Sequence, residues 1–167
     1  MERTRFAGMR CSFARALDVI GDWWSPMIVR DLFLKVSRFD DLVEDLGISR
    51  NLLASRLKSL AEKGIVERRA YQTRPTRYEY ELTERGRDLV PVILALTAWG
   101  DRWARPPEGR SILYFHTTCG HEFEPTVTCP HCGDAITADA VSAVAGPGGA
   151  AQTGTKVLAR RLPRTLE

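Results

Sequence analysis

The stretch ISRNLLASRLKSLAEKGIVERRAYQTRPTRYEYEL, residues 48–82, decides the fold. In its first half, Leu53, Leu57 and Leu60 recur at the spacing of one helix face. Ser49 stands before that helix as an N-cap, and Gly64 stands after Lys63 as its stop. In the second half, two runs with β-branched and aromatic residues flank a loop that contains Pro75, a residue that a central strand would not tolerate. The stretch therefore predicts a helix followed by a two-stranded hairpin.

Three helices are predicted upstream of this stretch. The first covers Ser12–Ile20, the second opens with Ser25 as N-cap and Pro26 in its first position, and the third follows Ser37, whose capping partner is Asp40. Gly47 ends the third helix and leads through a tight turn into the helix of the opening stretch. This order predicts a mainly α fold with a small β wing, the winged helix-turn-helix.

Composition and charge exclude several classes of protein. The 167 residues are 44% apolar and 27% charged, as in ordinary folded proteins, and no apolar run is long enough to cross a bilayer. Four cysteines without an export signal predict a reducing, cytoplasmic location. The net charge of +3 hides a concentration, because residues 49–77 hold eight basic side chains against two acidic ones. This stretch therefore carries a net charge of +6, which acidic helices elsewhere mask in the total. Such a concentration of positive charge indicates a nucleic-acid phosphate backbone as partner.

The polar face of the opening helix has the chemistry that reads a DNA major groove. Arginine can bind guanine and asparagine can bind adenine, so Arg50, Asn51 and Ser55, near the N-terminus of that helix, are predicted to contact bases. Arg74 and Arg77 at the hairpin tip suit phosphates, whereas Arg68 and Arg69 can pair with Glu79 and Glu81 across the strands. The complete set predicted to bind double-stranded DNA is Arg38, Ser49, Arg50, Asn51, Ser55, Arg56, Lys58, Arg74 and Arg77.

A further helix starts at Thr83 and carries a heptad seam. Pro91 lies within it and either kinks the helix or marks its effective start. The seam consists of Leu89, Val92, Leu96, Trp99 and Trp103. Because these large apolar side chains extend past a small domain, we expect a second copy of the chain to cover them, although packing onto the first helix or the C-terminal segment is the alternative.

The C-terminal part contains two pairs of potential metal ligands. His116 and Cys119 form one pair, Cys129 and Cys132 the other, and a glycine follows each pair. One histidine and three cysteines would fill a structural zinc tetrahedron of the ribbon type. His121 is the replacement if His116 is not a ligand, and His131 is expected to point outward. Free thiols or a Cys129–Cys132 disulfide are the alternatives to zinc.

These patterns divide the chain into three parts. Residues 1–105 form the DNA-binding and dimerisation domain, residues 112–141 the zinc-ribbon-like segment, and residues 142–167 a tail predicted to be disordered, with no folded element after the Gly- and Ala-rich stretch.

From Cys11 to Trp103 the chain resembles the HxlR-type winged helix-turn-helix regulators of bacteria, which are close to the MarR-type regulators. The resemblance rests on Cys11, on ALDVIGDWWSPMIVRDL, on Arg38-Phe39, on ISRNLLASRLKSLAEKGIVER, on RPTRYEYELTERG and on Trp99-Gly100. Two positions depart from the family pattern: Ser12 replaces a common proline, and Asp22-Trp23 replaces the usual Gly-Lys. The resemblance implies a homodimer, formed through the N-terminal region and the long terminal helix, on a two-fold operator.

In the resembled family, a cysteine at the position of Cys11 serves some members as a sensor of oxidants or electrophiles. Arg10 and the start of the first helix would favour its thiolate. The alternative is a small residue packed at the dimer interface.

These features bear on three classes of function. The leading one is a sequence-specific transcriptional regulator, a repressor, that responds to an oxidant or a small molecule. The alternative is an adaptor of the transcription machinery that acts through protein contacts, since adaptors also combine a winged helix with a zinc ribbon. An enzyme is not expected, because the sequence has no nucleophile triad, no phosphate-binding glycine loop and no βαβ context for its CxxC.

Overall fold

The computed structural model describes residues 6, 8–9, 11–147 and 151–164. Its elements are α1 (Ser12–Ile20), α2 (Trp24–Phe33), α3 (Phe39–Leu46), α4 (Arg50–Glu62), β1 (Val66–Thr73), β2 (Thr76–Leu82), α5 (Glu84–Arg87) and α6 (Val90–Trp103), followed by a 3-10 turn (Ala138–Ala140) and α7 (Leu158–Arg161). The sequence also begins with three arginines, Arg3, Arg5 and Arg10, that add positive charge near the N-terminus, and all three lie outside the described residues. No helix in the described ranges is long and apolar enough to cross a membrane.

The helix-turn-helix and the wing form as the sequence predicts. Ser49 caps α4 by accepting a hydrogen bond from the backbone N–H of Leu52 at 3.4 Å. Gly47 ends α3 with a φ of 60°, in the left-handed region that favours glycine, and so permits the tight turn between the two helices. Strands β1 and β2 pair antiparallel from Val66↔Leu82 to Thr73↔Thr76, which confirms the two-stranded wing.

Two predicted caps are wrong. Helix α2 begins at Trp24, one residue before the predicted cap Ser25, because the Asp22 carboxylate accepts hydrogen bonds from the backbone N–H groups of Trp24 and Ser25. Helix α3 begins at Phe39, and the Ser37 hydroxyl donates to Glu79 of the wing at 3.3 Å instead of capping the helix. A carboxylate binds the serine in both cases: Asp22 lies three residues before Ser25 in the sequence, whereas Glu79 is brought to Ser37 by the fold.

The predicted helix after Thr83 is two helices. Thr83 caps the short α5 by accepting from the N–H of Gly86, and α6 then begins at Val90 with Pro91 in its first turn. Pro91 therefore marks the start of the long helix, where its missing N–H leaves no hydrogen bond unmade.

One core holds the helices and the wing together. The leucine stripe of α4 packs with apolar side chains of α2, α3, the strands and α6. The buried cluster comprises Ile28, Val29, Leu32, Leu42, Ile48, Leu53, Leu57, Leu60, Ile65, Val66, Leu82 and Ile93. This packing fixes α4 with its polar face outward.

The C-terminal part has little regular structure. Residues 111–137 contain two isolated antiparallel bridges, Phe115↔Glu122 and Thr128↔Ala135. The tail was predicted to contain no folded element, but α7 forms one helical turn at Leu158–Arg161, so that prediction is wrong at this place.

Candidate nucleic-acid interface

Helix α4 separates its side chains into a buried and an exposed face. Leu53, Leu57 and Leu60 are buried, whereas Arg50, Asn51 and Ser55 are exposed, together with Ser49 and Lys58. The exposed residues begin at the first turn of α4, the part of a recognition helix that approaches base edges. The helical spacing of the leucines therefore leaves a continuous polar surface on the outer side of α4.

Arg50 is exposed but already has partners. Its guanidinium lies 2.7 Å from an Asp40 carboxylate oxygen and 5.0 Å from the centre of the Phe39 ring, both at the start of α3. The two charged side chains are 65% and 78% exposed, so solvent screens the pair strongly. Breaking this ion pair therefore costs little.

A concave surface between α3, α4 and the wing gathers several of the predicted DNA contacts. It encloses about 530 Å³ and has Arg38, Arg50 and Arg77 in its lining. Arg38 stacks over the ring of Tyr71 at 4.9 Å, and Arg68 stacks over Tyr78 at 4.0 Å, so the aromatic rings of the wing orient both guanidinium groups. Sequence reasoning missed Arg68, which it assigned to a glutamate, because it left out the tyrosine on the partner strand.

Of the ion pairs predicted across the wing, the structure forms the one at Arg69. Arg69 pairs with Glu81 at 2.9 Å, and this ion pair raises the pKa of Arg69. Arg74 and Arg77 lie at the tip of the hairpin and are exposed. Within the described ranges, neither tip arginine has an ion pair with a carboxylate.

Arg56 and Lys58 have different surroundings. Arg56 is mostly buried, and its Nε lies 3.4 Å from Asp22, so it is held against the start of α2 rather than on the outer face of α4. Burial raises the pKa of Asp22, but hydrogen bonds from the Ser25 hydroxyl and N–H and the charge of Arg56 outweigh it and hold that pKa below its ordinary value of 3.8. Lys58 is exposed, 3.9 Å from Glu62 one turn along α4. Arg56 thus stabilises a helix start, while Lys58 remains available at the surface.

The predicted seam of α6 is largely exposed. Val92, Leu96, Trp99 and Trp103 are all more than half exposed, whereas Leu89 is half-buried and packs against the core. Leu89 therefore faces the interior of its own domain, unlike the rest of the seam. Phe13 of α1 and Trp23, which is 91% exposed, add apolar surface that sequence reasoning missed.

None of the four cysteines forms a disulfide, and the structure brings each predicted ligand pair together separately. His116 Nδ1 lies 3.3 Å from Cys119 Sγ. Backbone N–H groups of Cys132 and His131 point at the Cys129 sulfur and lower the pKa of that thiol. Among the described residues, no three His, Cys, Asp or Glu side chains converge closely enough to hold a metal ion. The two pairs are thus formed, each within its own turn.

Cys11, partly buried, occupies the position just before α1.

Comparisons with known proteins agree with this geometry. The sequence model of the HxlR-like helix-turn-helix family matches residues 19–108, more than half of the chain. An HTH-type transcriptional regulator of Mycobacterium tuberculosis, Rv3095, is 45% identical over 144 residues, which cover 86% of this chain and 90% of the relative. YodB of Bacillus subtilis, another HTH-type transcriptional regulator, is 35% identical over 92 residues, 54% of this chain and 82% of YodB.

Solved structures extend the likeness. The crystal structure of PA1607, described as a candidate transcription factor, matches with a TM-score of 0.73 and 32% identity over 84% of this chain and 98% of that one. The reduced form of the redox regulator HypR matches with a TM-score of 0.51 and 32% identity over 55% of this chain and 92% of HypR. With an exposed recognition helix, a basic wing and these relatives, the chain belongs to the HxlR-like helix-turn-helix family of DNA-binding transcriptional regulators.

Proposed function

We propose that this protein is a sequence-specific repressor that binds a two-fold DNA operator as a homodimer. The observation that carries the proposal is the exposed polar start of α4, next to a groove whose lining includes Arg38, Arg50 and Arg77. A bound dimer of this kind represses by occupying promoter DNA.

The two basic elements contribute differently to DNA binding. Arg50 and Asn51 lie on the first turn of α4 and read base edges, which gives sequence specificity. Arg74 and Arg77 at the tip of the wing bind phosphates, which gives affinity for any sequence and makes it depend on salt. Arg50 exchanges Asp40 for the DNA when the protein binds.

Binding to a selected operator tests this division of labour. Operator fragments are first selected from genomic DNA, and affinity is then measured against random DNA at several salt concentrations. Arg50→Ala should cost about 1–3 kcal/mol on the operator and little on random DNA. Arg74→Ala should weaken both equally and reduce the salt slope by about one.

Arg69→Ala is the matched control, since that wing arginine is already paired with Glu81. It should change affinity less than Arg74→Ala does. Equal losses on operator and random DNA for Arg50→Ala would refute base readout. A parent protein with no preference for any fragment would instead favour the transcription-machinery adaptor.

The exposed apolar surface supports dimerisation. Trp99 and Trp103 lie on α6 with their side chains 59% and 66% exposed, and Phe13 and Trp23 expose similar rings near α1. Exposed aromatic side chains of this size are costly unless a partner buries them. A second copy is the occupant that a two-fold operator requires.

Light scattering tests the dimer. The parent should have twice the mass of the chain, and Trp99→Glu should convert it to a monomer that keeps its far-UV circular dichroism and loses operator affinity. Val127→Glu, at an equally exposed apolar residue of the C-terminal segment, should remain dimeric. A monomeric parent, or a dimeric Trp99→Glu variant, would contradict the proposal.

Oxidants are the proposed effector class, and Cys11 is the proposed sensor. HypR, a redox regulator, is similar to this chain, and Cys11 lies partly accessible at the start of α1. Mild oxidation should change the operator affinity of the parent and of Cys119→Ser, but not that of Cys11→Ser. An identical response of the parent and Cys11→Ser would exclude this sensor.

A further inference from the structure

The C-terminal segment builds the same hairpin turn twice, thirteen residues apart. In the first turn, the N–H of His116 bonds to the carbonyl of His121 at 2.9 Å, and the N–H of Gly120 bonds to the carbonyl of His116 at 2.7 Å. In the second turn, the N–H of Cys129 bonds to the carbonyl of Asp134, and the N–H of Gly133 bonds to the carbonyl of Cys129, each at 2.8 Å. The two turns therefore repeat the same pattern of backbone hydrogen bonds.

The equivalence extends beyond these bonds. The bridge Phe115↔Glu122 corresponds to Thr128↔Ala135, and the bond from Phe123 to Tyr114 corresponds to the bond from Ile136 to Val127. Gly120 and Gly133 take the same left-handed conformation, with φ of 72° and 80°. A turn of this shape presents two side chains, at its first position and just before its glycine.

Potential metal ligands occupy both of those positions in both turns. His116 is equivalent to Cys129, and Cys119 is equivalent to Cys132. His121 is equivalent to Asp134, and His131 lies between the two positions. The repeat thus selects His116, rather than His121 or His131, as the partner of Cys119.

A second observation is that this segment has no apolar core. Not one described residue between 105 and 147 is buried. Leu113, Phe115, Val127 and Ile136 are exposed although they flank the turns. Units of this size that hold a defined shape without a core depend on disulfides or a metal, and all four cysteines are free thiols.

We propose that the two turns close on one Zn²⁺ ion held by His116, Cys119, Cys129 and Cys132. Three thiolates and one imidazole fill a tetrahedron, so the ion stabilises the segment and leaves no position for a substrate. The thiols release their protons to solvent as the ion binds. The two pairs do not converge in the structure, so binding of the ion brings the two turns together. This site is independent of the proposed operator binding.

Metal content of the full-length, reduced chain purified without chelator tests the site. We expect about one equivalent of zinc per chain. After removal of zinc, Co²⁺ alone should restore one equivalent and produce the intense visible absorption of a tetrahedral cobalt–thiolate centre. Cys119→Ser, Cys132→Ser and His116→Asn should each lose that spectrum or lower the affinity for Co²⁺ at least about tenfold.

Matched controls separate this site from incidental binding. Cys11→Ser, His121→Asn and His131→Asn should bind as the parent does, and far-UV circular dichroism should show that all variants keep the helical domain. Less than roughly half an equivalent of zinc overturns the site. Full binding by Cys119→Ser, loss of binding in His121→Asn with retention in His116→Asn, or a Cys129–Cys132 disulfide in protein from reducing cytosol also overturns it.

Discussion

The helical domain and the C-terminal segment hold their shapes by different means. The helical domain surrounds a continuous cluster of buried side chains, of which Ile28, Leu42 and Leu53 are fully buried. The C-terminal segment has backbone hydrogen bonds and left-handed glycines but no buried residue among those described between 105 and 147. Hydrophobic burial therefore stabilises the DNA-binding part, whereas the segment can define local turns but needs another interaction to fix how they pack.

Removal of a core side chain gives the largest effect that this contrast predicts. Leu57, 1% exposed, lies on the inner face of α4. Leu57→Ala should lower the free energy of unfolding by about 2–5 kcal/mol through lost burial and a residual cavity. Urea titration followed by far-UV circular dichroism measures this loss.

The matched substitution in the other region is Leu113→Ala, at a leucine that is 51% exposed. It should change the free energy of unfolding by less than about 0.5 kcal/mol. A cost similar to that of Leu57→Ala would mean that the segment shares the core, and the contrast would fail.

Replacement of the helix cap gives a smaller and pH-dependent effect. Asp22→Ala removes the acceptor at the start of α2 and should cost about 1 kcal/mol at neutral pH. Because the pKa of Asp22 is lower in the folded protein than its ordinary value of 3.8, its stabilisation is complete above that value and is lost as the pH falls through the folded pKa. The difference between parent and variant should therefore shrink in acid.

Asp134→Ala provides the comparison in the segment, since this exposed aspartate makes its hydrogen bond through the backbone carbonyl. Its unfolding free energy should match that of the parent at every pH. If the cost of Asp22→Ala stays constant down to pH values well below 3.8, the carboxylate is not the source of the stabilisation.

Local patterns explain what the sequence could predict. Helix α4, its Ser49 cap and the wing follow from spacing, capping and backbone restrictions, which act over a few residues, and Pro91 gives the start of α6 as one of two alternatives. The family resemblance also rests on these local motifs, and the comparisons confirm it.

Contacts between distant elements explain what it could not predict. Asp22, just before α2, pairs with Arg56 of α4, and Asp40 of α3 pairs with Arg50 of α4, so the sequence alone could not distinguish an exposed arginine from one that holds a helix start. The sequence shows the repeated ligand pair with its glycine, but the matching backbone hydrogen bonds around the two turns are visible only in the structure.

The smallest effect on stability is expected at the connection between the two regions. The side chain of Arg110 lies 3.7 Å from Asp101 of α6 and 3.5 and 3.3 Å from Glu122 and Glu124 of the segment. Such partly exposed ion pairs contribute at most about 1 kcal/mol each and are screened by salt. Arg110→Ala should leave urea unfolding of the helical domain unchanged.

The same substitution should have a clear local effect, because the segment has no buried side chain to hold it. Limited proteolysis and amide exchange over residues 111–137 should become faster in Arg110→Ala, and high salt should have the same effect on the parent. Arg105→Ala, which removes a hydrogen bond to a backbone carbonyl of α6, should change neither measurement. If proteolysis is equally slow in Arg110→Ala, the attachment comes instead from Ile112 and Tyr114, which line a cavity of about 270 Å³ against α2 and α6. The two regions would then be joined by apolar contact rather than by charge, and salt would have no effect on the parent.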